Sequence, residues 1–442
     1  MILQNAPPTI TEKLLAVGIF LLPALSLTAP SGYSFASIII LLAAIVHQFV
    51  IRDNYLPISH ITGPGKLIIL FFLLYAAFWI GDAAVRGEGV RGFDRPSRFV
   101  FASFCLMIIA RTRIQPSWLW IGLSLGCIGA GGIAVWQVLI EGSSRASGFA
   151  QTNKFGIIAI LMGLMCITGL AWAHELPRSR LQRVTALLLL CVGAVSGIAA
   201  SFLSGSRGAL FAMVPAIFAG IWALRQTRHA TRYLLPGLVA LATSAIALAY
   251  LIHITGIDSR IVIGIQQLQG YINGDSTQGS IGLRLEMWKG AAHLFSERPI
   301  IGWGEIAYAE RMHELGQVGV INPSTSRFAH THNDWMNVLA KKGIIGGVIL
   351  LGTYGVPFLY YIRVARKSSA AGKQDRSSFA LAMAGVIFSS GFAAGGVSQV
   401  SFSHNIGVMV YAFMVAVLTG ILEAKNRPHE ARQSGHYPLN RE

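Results

Sequence analysis

The sequence predicts an all-α integral membrane protein of about twelve transmembrane helices, with a partly helical polar segment between the ninth and tenth. Three observations carry this. Hydrophobic residues make up 53% of the 442 and charged residues only 12%, against roughly a quarter charged in ordinary globular proteins. Mean hydropathy is +0.57. Apolar stretches recur along the chain at lengths that suit a bilayer core, for which about 20 residues of helix are needed. Disorder, a coiled coil, a disulfide scaffold and an ordinary soluble fold are excluded.

The first apolar run follows Lys13. No small-residue cleavage site leads into a soluble domain, so it is expected to remain as the first membrane helix, at 12–29. The next spans are read at 33–51, 65–85, 96–111, 117–140 and 152–173, each bounded by charge or by Gly and Pro. Further spans follow at 184–204, 208–224 and 233–253, and the last three at 342–363, 378–399 and 404–423. The fourth and eighth are near the short end for a span. Cys105, Cys127, Cys166 and Cys191 all fall inside apolar segments and read as small core hydrophobes.

Lys and Arg total 35 against 19 Asp and Glu, a net charge of +16. In a soluble protein that would suggest nucleic acid; here the first explanation is cationic cytoplasmic loops. Alternating the loops puts 20 of the 35 on one side, from Lys13 through Arg178 and Arg363 to Arg441. That side is expected to be cytoplasmic, with both termini inside. The expected organisation is helices 1–9 over 1–253, an external domain at 254–341, helices 10–12 over 342–423 and a cytoplasmic tail at 424–442. The 254–341 segment is too polar to span and too long for a connector, and a helix is expected around 283–297.

Arg86, Arg91, Arg95, Arg98, Arg145, Lys154 and Arg207 remain on the outward side. Either they snorkel or pair with Asp82, Glu88, Asp94 and Glu141, or they face an anionic ligand. Pairing is the favoured reading for Arg86 and Arg91. For Arg207 the ligand reading is favoured. Ser204-Gly205-Ser206-Arg207-Gly208 joins two spans with almost no loop, and a helix N-terminus bearing an Arg suits an anion.

Arg284 and Trp288 stand i,i+4 on one helical face. Glu297-Arg298-Pro299-Ile300-Ile301-Gly302-Trp303-Gly304-Glu305 then ends that helix and turns on two glycines. The densest polar cluster is His330-Thr331-His332-Asn333-Asp334, just ahead of an apolar helix. Zinc ligation was weighed against a general-base histidine. The second fits better, because i,i+2 spacing splits the two rings and His accepts a proton near neutral pH. His404-Asn405 is expected on the same face in a supporting role. The chain has no Asp-x-Asp pair and no phosphate-loop motif of the GxxxxGK[ST] type. The expected site is therefore basic and histidine-bearing, with no metal and no cofactor.

These segments, in this order, resemble the O-antigen ligase and O-antigen polymerase superfamily of bacterial envelope glycosyltransferases. The pieces are Asp94-Arg95-Pro96-Ser97-Arg98, Arg145 with Gly148, Phe149 and Asn153, and Ser204 through Gly208. They continue with Arg284 and Trp288, Arg298 through Gly304, and His330 through Asn333 followed by Gly343 and Gly346. The resemblance implies a glycosyltransferase-C-like fold and a ligase. Such a ligase moves O-antigen polysaccharide from undecaprenyl diphosphate to lipid A–core, without metal and with inversion, at the periplasmic face of the Gram-negative inner membrane. It implies that Arg207 and Arg284 bind the diphosphate and that His332 is the base, with His330 the paired candidate. Arg145 is expected on the donor side, and Arg95, Arg98, Asn333 and Trp288 in support. The partners implied are that donor, that acceptor and membrane lipids. A polymerase or a protein O-oligosaccharyltransferase of the same superfamily is the alternative, and a lipid-linked glycan transporter a more distant one.

Overall fold

The computed structural model describes residues 8–51, 57–174, 179–225, 257–274, 279–370 and 375–426. Among these residues the secondary structure is helical, without strands. The helices, in chain order, are α1 (Ile10–Leu25), α2 (Gly32–Ile51), α3 (Gly63–Val85), α4 (Arg91–Ile109), α5 (Ser117–Val135), α6 (Thr152–Ala173), α7 (Arg180–Leu203) and α8 (Arg207–Arg225). After them come α9 (Ile257–Ile272), α10 (Ser280–Glu297), α11 (Glu305–Gln317), α12 (Asp334–Ala370), α13 (Arg376–Gly395) and α14 (Asn405–Lys425).

Eight of these helices are long and apolar enough to cross a membrane: α2, α3, α5, α6, α7, α12, α13 and α14. The reading of twelve spans is not reached on that measure. With 16 residues, α1 rises about 24 Å, short of the roughly 30 Å hydrocarbon core. The first turns of α4 hold Arg91, Asp94, Arg95 and Arg98. The apolar part of α8 is only Arg207–Trp222. The span expected at 233–253 lies outside the described residues.

Burial sorts the bundle into a centre and a periphery. Helices α6, α13 and α14 are enclosed along most of their length, whereas two thirds of α2 and α3 face outward. That outward surface is apolar, with Phe35, Leu42, Phe49, Leu70 and Leu74 exposed, as lipid contact requires. Helix α6 packs on α7, α13 and α8, and α14 packs on α4 and α2. At one end of the bundle the buried Glu423 carboxylate accepts from Thr62 N at 2.8 Å, Thr62 Oγ1 at 2.7 Å and Tyr360 Oη at 2.8 Å. One acidic side chain thereby ties α14 to the start of α3 and to α12.

The segment between α8 and α12 is partly helical, as expected. The helix anticipated around 283–297 is α10. Helices α10 and α11 enclose a small second core of Ala291, Leu294, Tyr308, Met312, Leu315 and Ile321, which meets Ala340 at the start of α12.

Helix α12 is two helices joined at Gly343, whose φ is +63°. The backbone groups freed by that break are met by the Pro299–Gly304 turn. Ile344 N donates to Pro299 O at 2.8 Å, Trp303 N to Ala340 O at 3.1 Å and Gly304 N to Lys341 O at 2.8 Å. The contact leaves no room for a side chain: a Cβ on Gly343 would lie 2.2 Å from Ile300 O. Glycine is required here by both conformation and space.

Candidate active site

The His330–Asp334 loop is fixed on all sides. Asn333 Oδ1 accepts from Trp335 N at 3.0 Å and Met336 N at 3.2 Å, capping α12. Thr331 Oγ1 donates to Asn333 O at 2.8 Å. Asp334 N donates to Gly396 O at 2.7 Å, and its Oδ2 accepts from Ser401 N at 3.0 Å and Tyr354 Oη at 3.2 Å. From α10, Trp288 Nε1 donates to Thr331 O at 3.0 Å. So clamped, His332 adopts a left-handed backbone with φ +53°, uncommon for a residue other than glycine and a form of strain that gathers at functional sites.

Three imidazoles meet here. The His330 and His332 rings stand perpendicular with centroids 4.4 Å apart, and His404 lies 5.9 Å from His330. His332 Nδ1 is 3.4 Å from Gln399 Oε1. With that oxygen as acceptor the proton sits on Nδ1, leaving Nε2 with its lone pair. Burial pushes the His332 pKa below its usual 6.5, Gln399 opposes the shift, and Arg284 and Lys154 add to it. Burial, then His332 and Lys341, push His330 down to about 4. Burial, then Lys154, His330 and Arg95, push His404 down to about 3. All three shifts favour the neutral ring.

Arg207 opens α8 on a tight turn. Gly205 has φ +57°, and Ser206 N donates to Ser204 Oγ at 3.2 Å. Arg145 holds that turn from outside: its Nε donates to Ser204 O at 2.8 Å, and its Nη2 to Asn153 Oδ1 at 3.1 Å and Gly205 O at 3.3 Å. The Arg207 guanidinium lies on the bare backbone of α9, where a Cβ on Gly264 would stand 3.2 Å from its Cζ. Burial and the nearby Arg207 both push Arg284 below its usual value. Arg284 thus feels Arg207, and is felt in turn by His332. Two cations near each other in a partly buried place are chemically suited to a multiply charged anion.

The other sequence-predicted residues divide. Trp288 and Asn333 shape the histidine loop. Arg98 donates to both carboxylate oxygens of Asp94, at 3.0 and 2.8 Å, and Arg86 pairs with Asp82 at 2.7 Å, so the ion-pairing reading holds for both. Arg95 lines a neighbouring cavity of about 240 Å³. Two further residues reach the site, one read from the sequence only as an outward cation and the other not singled out. Lys154, 5% exposed, donates to Gln151 Oε1 at 2.7 Å and acts on all three histidines. Gln399 orients His332 from the Gly396–Ser401 turn, and no local pattern marks it. Among the described residues, no group of three or more His, Cys, Asp or Glu is arranged to hold a metal ion.

Fold and site together define a multi-pass helical membrane protein with a basic, histidine-bearing centre at one end of its bundle. Residues 192–351 match the family model described as O-antigen ligase, and the resemblance to the O-antigen ligase superfamily holds for this stretch, which runs from α7 through the histidine loop to α12. An uncharacterized protein of Haemophilus influenzae is 24% identical over 363 residues, covering 82% of this chain and 87% of its own.

Proposed function

We propose that the protein is an O-antigen ligase. It transfers polysaccharide from undecaprenyl diphosphate to a sugar hydroxyl of lipid A–core, at the periplasmic face of the inner membrane, with both termini cytoplasmic. The observation that supports this reading is that the clamped His332, on a left-handed backbone and 4.4 Å from the His330 ring, lies within electrostatic reach of Arg284, which in turn feels Arg207. A diphosphate held by the two arginines leaves its attached sugar beside a neutral imidazole.

The chemistry follows from the groups. A lipid diphosphate is already a stable anion, so its departure needs positive charge rather than a general acid. Arg207 and Arg284 supply permanent charge in planar forks that match phosphate oxygens. The acceptor hydroxyl is a poor nucleophile until it loses its proton, and His332 Nε2 takes that proton. Attack opposite the departing diphosphate inverts the anomeric carbon. Arg145 acts on the donor side by fixing the turn that carries Arg207. Burial, with Arg284 and Lys154, favours the neutral form of His332.

The test is transfer by the purified full-length protein in detergent, given lipid-linked polysaccharide and lipid A–core. Product from the wild type and none from His332→Asn supports the reading; Asn suits the left-handed backbone at that position. Equal product from both, or elongation of the lipid-linked glycan in place of transfer to lipid A–core, overturns it.

A further inference from the structure

The site described so far accounts for a donor and a base but leaves no place for the acceptor. His404 lies 5.9 Å from His330, whose ring is 4.4 Å from His332. His332 feels Arg284 and Lys154, whereas His404 feels Lys154, His330, Arg95 and His332. Attack with inversion requires the hydroxyl to approach from the side opposite the diphosphate. The acceptor sugar then sits beyond the histidines, toward Arg95.

A cavity of about 240 Å³ opens there between α3, α4, α11 and α12. It borders the histidine loop directly. Lys341 lines it and donates to Ala329 O at 2.8 Å, and Asp334 and Ser403, the neighbour of His404, line it too. Its wall carries Trp79, stacked on Tyr75 with centroids 3.9 Å apart. Asn337 also lines it, is 4% exposed, and has a buried Oδ1 with no hydrogen-bond partner. A buried amide oxygen without a donor is unfavourable, and a sugar hydroxyl entering the cavity supplies one. Lys341 and Lys342, also in the wall, are paired with Glu305 and Asp82. Arg91 and Arg95 line the same cavity and bring the cations of its wall to four, against the three carboxylates of Glu88, Glu305 and Asp334.

The geometry points to this cavity as the acceptor subsite, taking a sugar that bears an anionic substituent: Asn337 accepts from a ring hydroxyl, Trp79 offers an aromatic face, and Arg91 and Arg95 meet the anion. The inference rests on the transfer reading above and adds to it the location and charge of the acceptor.

Galacturonate and galactose serve as probes, with inorganic pyrophosphate as the probe of the arginine pair. Binding to full-length protein in detergent is followed by saturation-transfer and phosphorus NMR. Wild type binds galacturonate in preference to galactose. Asn337→Leu and Arg95→Gln each weaken galacturonate about fivefold or more, while pyrophosphate binding, which also reports an intact fold, is unchanged. Galacturonate bound equally by wild type and both variants, bound no better than galactose, or lost in Arg207→Gln instead, overturns the subsite and leaves the donor reading standing. Pyrophosphate binding that survives both Arg207→Gln and Arg284→Gln sinks the donor reading, and the acceptor placement with it.

Discussion

His332 Nδ1 faces Gln399 Oε1 at 3.4 Å, although 67 residues separate the two in sequence. The amide reaches the ring because Asp334 binds Gly396 O and Ser401 N on either side of it. One carboxylate and its own amide thus set both the end of the histidine loop and the turn that orients the ring.

If His332 is the base, His332→Asn lowers turnover on the order of 10²–10⁴-fold with normal membrane insertion. His330→Ala has the smaller effect, since His330 meets His332 only as a packed ring. Single-turnover rates on purified protein compare the two, and a larger loss from the His330 change would exchange their roles.

The pH profile follows from the protonation state. The neutral ring is the active form, and the His332 pKa is lowered from 6.5, so the acid limb of kcat/KM falls below that value. Gln399 is the group that raises the His332 pKa. Gln399→Leu therefore moves the limb to lower pH and also lowers the plateau, because the ring loses its orienting partner. Gln399→Glu moves the limb to higher pH. Opposite shifts of the two variants are the signature; superimposable profiles would remove Gln399 from the site.

Donor binding depends on the guanidinium fork and on its bed. Arg207→Lys keeps charge and loses the planar fork, so KM for the donor rises with a smaller change in kcat. Gly264→Leu places a branched side chain where a Cβ already stands 3.2 Å from Arg207 Cζ. It weakens pyrophosphate binding about tenfold, near 1.4 kcal/mol, without touching any charged residue. Phosphorus NMR titration measures both.

Gly343→Ala destabilises the fold. It adds a methyl 2.2 Å from Ile300 O at φ +63°, where strain alone costs about 1–3 kcal/mol. Thermal unfolding in detergent reads the loss, and Gly355, with nothing within 4 Å of its would-be Cβ, is the paired control.

Acid weakens the structure through His330 and His404. Their folded pKa values, about 4 and about 3, lie below the ordinary 6.5. Between those limits the unfolded chain binds more protons, so stability falls as pH drops from 6.5 toward 4. His404→Gln flattens that dependence. A melting temperature insensitive to pH across this window would show that the rings are charged in the folded state.

Long apolar runs made α2, α3, α5, α6, α7, α13 and α14 legible in the sequence, because a helix that faces lipid on one side and its neighbours on the other is apolar all round. The ends were harder to read. Helix α4 begins at Arg91 rather than 96, since its first turns are charged and the Asp94–Arg98 pair stabilises them without apolar signal. The break in α12 at Gly343 falls just inside the span expected from 342, because Lys341 and Lys342 beside it are buried partners of Glu305 and Asp82, a tertiary arrangement without local signal. At the site, Arg207, Arg284 and His332 stood out as polar groups in apolar or motif-like surroundings. Gln399 and Gly264 reach the site only through tertiary contact, and nothing in their immediate neighbours announces it; Lys154 was visible as an outward cation, but not its place beside the histidines.

The interlaced backbones of Pro299–Gly304 and Ala340–Ile345 form a stitched seam across the base of the outer segment. Such a seam resists hinging, so α10, α11 and the histidine loop ride as one block with the start of α12. On the proposed reading, admission of a bulky lipid then falls to α9, whose Val262, Ile265, Leu268 and Ile272 turn outward. Slow amide exchange along the seam and fast exchange in α9 would mark which part is frame and which is gate.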